Sequence, residues 1–381
     1  MRRQVDGQLL AGVSHAVLRG RDLVDVACVG WADREGEIPL RTDHIFRIFS
    51  NTKLVTSCAV LLLLEEGRFQ LDDPVERWIP QLGGLPVLKP GATSLDDTEP
   101  ARSPITIRHL LSHQSGLSYG LLDPGSMMFS AYNERKVLHP GRTLSQMMDT
   151  LATLPLLFHP GTSWEYSVAT DVLGHLVEVV SGQRLDAFFQ GRIFTPLGMV
   201  DTGFAVPPEQ QHRLARCYAG ANALDPTQPG LTHDESFPYK GANLTLAPKL
   251  SGGGGLVSTL PDMVALLRSL LPGGPTLLQP ETLALMMSNQ LPPEQFIRFA
   301  RMGTLRGKGH GLGGAVTLQP SSIDPAGSTD EFQWGGLAGT HWWISPRANL
   351  AGVLMTQRQL GFWNPFFFEF KQHVYKAAGP R

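Results

Sequence analysis

Two serines in this chain lie in contexts that could make a nucleophile. Ser118 lies within GLSYG (116–120), the G-x-S-x-G pattern of a nucleophile elbow. Ser50 lies within SNTK (50–53), a Ser-x-x-Lys pattern at the start of an apolar stretch. A serine hydroxyl is a weak nucleophile until a neighbouring base accepts its proton. The residues that surround each serine therefore decide between them.

The context of Ser118 does not suit a nucleophile elbow. An elbow needs a strand before the serine and a helix directly after it. The preceding HLLSHQS belongs to a helix that we predict over 106–114, with Gly116 as its C-terminal cap. The turn sequence Asp-Pro-Gly (123–125) then interrupts any following helix. We predict that Ser118 lies in a structural loop.

Ser50 has the better context, although its tetrapeptide alone is a weak signal. It follows a predicted strand, HIFRIFS, and opens a buried helix predicted over 51–67. Lys53 lies three residues later, on the same helical face, and its amine can reach the serine oxygen. Burial disfavours the charged form of an amine, and a helix N-terminus favours a developing alkoxide. The alternative interpretation makes Ser50 a helix cap and Lys53 a solvated side chain.

Two further patterns resemble ligand sites only by their letters. His109 and His113 have the spacing of a helical zinc pair, but HLLSH lacks the glutamate of H-E-x-x-H. GHGLGG (309–314) matches G-x-G-x-x-G, but it leads into a predicted strand and offers no helix N-terminus to a pyrophosphate. We predict no metal site and no dinucleotide site.

Composition excludes several classes of function. The chain has 381 residues, 42% of them hydrophobic, and a formal net charge of -2. This charge gives no reason to expect a nucleic acid or an anionic membrane as partner. Three scattered cysteines argue against a disulfide framework. Because we find no signal peptide and no membrane span, we expect a cytoplasmic protein and leave a homo-oligomer open.

The order of predicted elements indicates an α+β fold. Strands dominate both ends of the chain, with the first two joined at Gly20, and helices dominate the middle. We predict an α/β domain with an antiparallel sheet from residues 1–60 and 250–381. A mainly helical domain is inserted over 61–249, with the active site between the two. Further helices are predicted over 167–182 and 259–271.

Several blocks that follow one another along the chain carry a family resemblance. They are HIFRIFSNTK, GRFQLDDPVERWIPQL, ITIRHLLSHQSGL, PGTSWEYSVATDVLGHLVEVVSG, PLGMVDTGF, SGGGGLVSTLPDM and GHGLGGAV. In this order they resemble the serine β-lactamase-like superfamily, and most closely its esterase branch, the family VIII carboxylesterases. The resemblance implies a fold like that of β-lactamases and penicillin-binding proteins, with an antiparallel sheet flanked by helices.

The resemblance also implies catalytic roles. Ser50 would be the acyl-forming nucleophile and Lys53 its activating partner. Tyr166, in WEYSVAT, would be the catalytic tyrosine that shuttles a proton. The backbone N–H groups of Ser50 and Leu337 would form the oxyanion hole. This machinery needs no metal and no cofactor.

Two departures from the family pattern concern the substrate. Val168 stands where the family has an asparagine after the tyrosine, and valine has no amide to donate. K-T-G is absent, and Trp334, Gly335 and Gly336 take its place. A tryptophan offers an apolar wall where the lysine would bind a carboxylate. Tyr119 is expected at the rim of the same pocket.

These features predict a carboxylesterase that acts on short to medium acyl esters or small neutral esters. Its partner would be a small-molecule ester, bound covalently for a time as an acyl-enzyme on Ser50. Two alternatives on the same scaffold stay open. One is an amide hydrolase of the β-lactamase or D-aminopeptidase type, and the other is an acyltransferase.

Overall fold

The fold combines one large sheet with helices on both of its faces. A computed structural model describes residues 1–223, 225–300, 302–361 and 365–379. The helices are α1 (Arg2–Asp6), α2 (Thr52–Glu65), α3 (Ile107–Leu111), α4 (Met127–Glu134), α5 (Leu144–Leu151), α6 (Ala169–Ser181), α7 (Leu185–Phe189), α8 (Thr195–Leu197), α9 (Leu260–Ser269), α10 (Pro280–Met286) and α11 (Phe366–Ala378).

The strands are short, except for those at the centre of the large sheet. They are β1 (Gly12–Arg19), β2 (Asp22–Asp33), β3 (Ile38–Pro39), β4 (Phe46–Arg47), β5 (Val87–Leu88), β6 (Thr98–Glu99), β7 (Tyr218–Gly220), β8 (Leu231–His233), β9 (Val257–Ser258), β10 (Arg298–Phe299), β11 (Gly303–Thr304), β12 (Lys308–His310), β13 (Ala315–Thr317), β14 (Phe332–Gly335), β15 (His341–Ser345) and β16 (Leu350–Met355).

The large sheet joins the two ends of the chain. Within the described residues it has the order β12-β13-β14-β15-β16-β1-β2-β3, and its pairs are antiparallel. β1 pairs on one side with β2, its neighbour in sequence, and on the other with β16 near the C-terminus. The tight β1–β2 connection uses Gly20 at a φ of 57°. The α+β prediction is confirmed.

Each face of the sheet is covered by its own apolar cluster. Trp342 and Phe332 belong to the main core, which also contains α2, α6 and α9. Trp343, the next residue along β15, belongs to a separate cluster with Phe366 and Phe370 of α11. Because alternate residues of a strand face opposite ways, adjacent tryptophans can serve both layers.

Three of the four predicted helices are confirmed with small changes at their ends, as α2, α6 and α9. The fourth is wrong in length, since α3 ends at Leu111 and does not reach 114. Gly116 therefore does not cap it. This glycine has a φ of 84°, and a Cβ there would lie 2.3 Å from the carbonyl oxygen of Phe158, so it permits a close backbone approach in a loop.

The two-domain division stays a prediction. Its first boundary, between residues 60 and 61, falls inside α2. A membrane-crossing helix, which must be long and apolar, is not found in the described parts of the chain.

Candidate active site

Ser50 lies in a tight turn between a strand and a buried helix. β4 ends at Arg47, a 3₁₀ turn spans Phe49–Asn51, and α2 begins at Thr52. Phe49 has a φ of 44°, a left-handed conformation that is strained for a residue with a side chain. Its buried ring lies 5.4 Å from that of Phe237, and this packing holds the strained turn.

Two side chains converge on the Ser50 hydroxyl. Tyr166 donates its phenol hydrogen to Ser50 Oγ at 2.7 Å, and Lys53 donates from Nζ to the same oxygen at 3.4 Å. Lys53 Nζ also lies 4.7 Å from the centre of the Tyr166 ring. Lys53 is only 2% exposed, so the solvated interpretation of this lysine is wrong. The structure therefore brings all three predicted residues into one cluster.

The glycine-rich segment 251–255 lies directly against this cluster. Lys53 Nζ donates to the carbonyl oxygen of Gly253 at 2.7 Å, and Thr56 donates to that of Gly252 at 2.7 Å. A Cβ on Gly252 would lie 2.8 Å from the carbonyl oxygen of Thr170 in α6. Side chains larger than hydrogen would hold the segment away from both helices. Sequence reasoning missed this contribution, although four consecutive glycines were a visible signal.

Asp171 is a second residue near the site that sequence reasoning missed. It lies in the first turn of α6 and is fully buried. Its Oδ1 accepts hydrogen bonds from Ser251 Oγ at 2.6 Å and from the Gly253 N–H at 3.3 Å. The carboxylate therefore holds the segment whose carbonyl groups face α2. The signal was an acidic residue in the first turn of a mostly apolar helix.

Aromatic rings surround the Tyr166 phenol. Tyr119 stacks on it with a centroid separation of 5.4 Å and an interplanar angle of 14°. The rings of Trp334 and His113 lie 5.3 Å and 5.0 Å from it. Burial raises the pKa of Tyr119, so this second phenol stays protonated at neutral pH. The packing fixes the direction in which the Tyr166 oxygen points.

Two histidines beside the cluster are held neutral. Burial lowers the pKa of His113 and brings that of His310 to about 4, and the nearby Lys53 charge acts in the same direction. His113 Nδ1 lies 3.1 Å from Ser167 Oγ. His109, its supposed zinc partner, instead completes a capping box with Thr106 at the start of α3. No group of three or more candidate metal ligands occurs among the residues described.

A cavity of about 690 Å³ opens onto Ser50 and Tyr166. The predicted residues Tyr119, Trp334, Gly335 and Leu337 line it, with a largely apolar wall that includes Phe49, Leu122, Phe204, Phe237, Ile297 and Phe299. This volume is in the range of pockets that enclose small organic ligands. The nucleophile candidate thus faces a space that suits an apolar substrate.

Val168 and Gly336 do not line this cavity, contrary to the substrate-binding role predicted for them. Val168 is 0% exposed and belongs to the main core. Gly336 packs against the residue before the nucleophile turn, since a Cβ there would lie 2.4 Å from the carbonyl oxygen of Ile48. This approach brings the end of β14, and Leu337 after it, beside Ser50.

Ser118 lies in a loop, as predicted. It is 4% exposed and is not part of the cavity wall. Its N–H donates to the Tyr132 phenol oxygen at 3.0 Å, and its carbonyl oxygen accepts from the Val168 N–H at 3.2 Å. GHGLGG leads into a strand, as predicted: its first two residues end β12, and the other four connect β12 to β13.

Comparisons with known proteins find esterases among the relatives of this chain. Lovastatin esterase of Penicillium rubens is 34% identical over 351 residues, which cover 88% of this chain and 84% of that protein. Esterase EstB of Burkholderia gladioli is 32% identical over 384 residues, covering 96% of this chain and 91% of EstB. Both alignments run through nearly the whole sequence.

A solved structure agrees with these relatives. EstCE1, described as a hydrolase with promiscuous acyltransferase activity, superposes with a TM-score of 0.79 at 29% identity, over 98% of this chain and 96% of EstCE1. The Beta-lactamase family profile matches residues 1–364. The resemblance inferred from the sequence blocks is confirmed, and the chain belongs to the beta-lactamase family.

Proposed function

We propose that this protein is a carboxylesterase that works through an acyl-enzyme on Ser50. One observation carries the proposal: Ser50 Oγ accepts hydrogen bonds from both Tyr166 and Lys53 at the wall of an apolar cavity. A serine, a nearby base and an open reaction space are the parts that nucleophilic catalysis needs. The esterase names of two relatives support the same chemistry.

In the acylation step, Ser50 Oγ forms a bond to the ester carbonyl carbon while Lys53 or Tyr166 accepts its proton. The carbonyl oxygen becomes an oxyanion, for which we propose the N–H groups of Ser50 and Leu337 as donors. The bond from carbon to the alkoxy oxygen then breaks. Tyr166 returns a proton to the departing oxygen, so the alcohol leaves neutral.

Deacylation repeats these steps with water as the nucleophile. Water gives a proton to the Lys53–Tyr166 pair as its oxygen attacks the acyl carbon. The bond to Ser50 Oγ then breaks, Ser50 regains its proton and the carboxylic acid is released. Ester hydrolysis balances with one water consumed, and no step requires a redox partner.

The cavity supports neutral esters with apolar acyl or alcohol groups as substrates. By the family resemblance, Trp334 stands where a lysine would bind a substrate carboxylate. Its ring packs on Tyr166. This replacement disfavours the β-lactamase or D-aminopeptidase alternative, because an anionic substrate would lose its cation at this place.

Acyl transfer to an alcohol is the second candidate. EstCE1 is described as having promiscuous acyltransferase activity. A cavity of about 690 Å³ has room for an acyl group and a second organic molecule, and its apolar wall favours an organic acceptor over water. Excess alcohol in the assay would yield a new ester if this activity is present.

The proposal is tested by covalent labelling with a fluorophosphonate, followed by mass spectrometry of the digested protein. We expect one adduct, on the peptide that contains Ser50, together with turnover of p-nitrophenyl butyrate that the label abolishes. An adduct on the Ser118 peptide, or turnover that survives complete labelling, would overturn the assignment.

A further inference from the structure

A buried lysine and a buried aspartate meet at a single glycine. Lys53 Nζ donates to the Gly253 carbonyl oxygen at 2.7 Å, and the Gly253 N–H donates to Asp171 Oδ1 at 3.3 Å. Ser251, two residues earlier, donates to the same carboxylate oxygen at 2.6 Å. The chain of contacts from Asp171 to Ser50 therefore passes through Gly253 and Lys53.

The burial of Asp171 is costly and thus informative. Its carboxylate is fully buried, and Oδ2 has no hydrogen-bond partner among the described residues. An unpaired buried oxygen costs free energy, and stability alone favours replacing such a group. Its place in the first turn of α6 offsets part of this cost, because the helix N-terminus favours an anion.

Oδ2 also explains why residue 253 is a glycine. A Cβ on Gly253 would lie 2.6 Å from Asp171 Oδ2, so the backbone of the segment rests directly against the carboxylate. Asp171 therefore restricts the position of segment 251–255 in two ways: its Oδ2 packs against the backbone, and its Oδ1 accepts hydrogen bonds from Ser251 and Gly253. The Gly253 carbonyl that receives Lys53 has little freedom to move.

We propose that Asp171 is a positioning residue, which fixes the Gly253 carbonyl and thereby holds Lys53 Nζ within reach of Ser50 Oγ. This inference rests on the proposed function of Ser50 and Lys53. Asp171 has no hydrogen bond to Ser50 and does not itself line the cavity, so it acts through Ser251 and Gly253, which do line it, and not on the substrate. The charge of Asp171 also acts on Tyr119 and Lys249, where it opposes proton loss.

The chain offers a matched control for this proposal. Asp262, at the start of α9, is also a buried carboxylate that accepts from one hydroxyl and one backbone N–H, those of Thr202 at 2.7 Å and Asp201 at 2.9 Å. It is not part of the cavity wall. Removing either carboxylate should lower stability, but only Asp171 should affect turnover.

The experiment measures kcat, KM and thermal stability for three variants with p-nitrophenyl butyrate. For Asp171→Ala we expect kcat to fall by about 10- to 100-fold with KM within about twofold, because a misplaced proton acceptor slows chemistry and not binding. Asp171→Asn should keep kcat within about fivefold, since its amide oxygen can still accept from Ser251 and Gly253. Asp262→Ala should keep kcat within about twofold for the folded fraction.

Equal loss of kcat in Asp171→Ala and Asp262→Ala, or no loss in either, would overturn the positioning role. If Asp171→Ala does not fold, Ser251→Ala replaces it, because this change removes one donor and leaves Asp171 and Lys53 intact. A severalfold lower kcat supports the proposal, and an unchanged kcat overturns it. Wild-type protein that neither turns over the ester nor labels at Ser50 would instead refute the proposed function.

Discussion

The molecule contains two pairs of a serine and a buried tyrosine. In one pair the tyrosine is the hydrogen-bond donor, and in the other it is the acceptor. At Ser50, the Tyr166 phenol donates to the serine side-chain oxygen at 2.7 Å. At Ser118, the serine backbone N–H donates to the phenol oxygen of Tyr132 at 3.0 Å. The first contact engages the atom that could react. The second satisfies a buried backbone group, which is a structural task.

The surroundings of the two pairs widen this difference. Tyr166 faces a cavity and has Lys53 Nζ beside its ring, so its phenol can exchange a proton with a bound substrate or with the amine. Tyr132 is buried in the main core, and burial raises its pKa far above the usual value for a phenol. A serine near a tyrosine is thus not sufficient for catalysis, because the oxygen also needs a base and a reaction space.

The largest expected effect comes from exchanging each serine for alanine. Ser50→Ala should lower kcat for p-nitrophenyl butyrate by about 10⁴-fold or more, because it removes the atom that carries the acyl group. Ser118→Ala should keep kcat within about twofold, since its backbone contacts remain. Steady-state kinetics of both purified variants would measure this. Loss of activity in Ser118→Ala together with activity in Ser50→Ala would reverse the comparison.

The matched tyrosine variants should separate proton transfer from structure. Tyr166→Phe keeps the ring and removes the phenol oxygen, so we expect kcat to fall by about 10²- to 10⁴-fold with little change in stability. Tyr132→Phe leaves the Ser118 N–H without its acceptor and should cost about 1–3 kcal/mol of unfolding free energy. Its kcat should stay within about twofold. Kinetics and urea denaturation on the same samples would test both halves, and a fully active Tyr166→Phe would remove Tyr166 from the mechanism.

A smaller effect is expected from the wall of the cavity. Trp334→Ala removes the ring that packs on Tyr166 and opens the apolar wall, so KM for p-nitrophenyl butyrate should rise by about tenfold while kcat falls only severalfold. Trp334→Phe keeps an aromatic surface and should have a KM within about threefold of wild type. Equal KM values in all three proteins would show that Trp334 does not contact the substrate.

The part of the site that depends on local spacing could be predicted from the sequence. The contacts between segments that are distant along the chain could not. Ser50 and Lys53 share one helical turn, so their contact follows from their separation along the chain. Tyr166 was placed only by its resemblance to a family motif. The contacts of Asp171 and Gly253 depend on how α6 packs against a loop some eighty residues away, and no local pattern encodes that distance. The predicted length of α3 was wrong because His113 has a left-handed φ of 58°, which an α-helix cannot contain.

The smallest effect concerns stability, at a residue that is linked to both tyrosines. Glu165 precedes Tyr166, its N–H donates to the His113 carbonyl oxygen, and its charge acts on Tyr132. Burial raises the pKa of Glu165 from 4.5 to about 7, although Arg298 partly opposes this. Between pH 4.5 and 7 the Glu165 carboxyl loses its proton in the unfolded chain but keeps it in the folded protein. The protonated carboxyl therefore stabilises the fold fully below about pH 4.5, and this stabilisation is lost as pH rises towards 7. Glu165→Gln removes the free-energy cost of ionising this buried carboxyl, so the variant should gain about 3 kcal/mol over wild type at pH 8 but less than about 1 kcal/mol at pH 5. Urea denaturation of both proteins at the two pH values would measure the difference, and an equal gap at both would show that Glu165 does not titrate in this range.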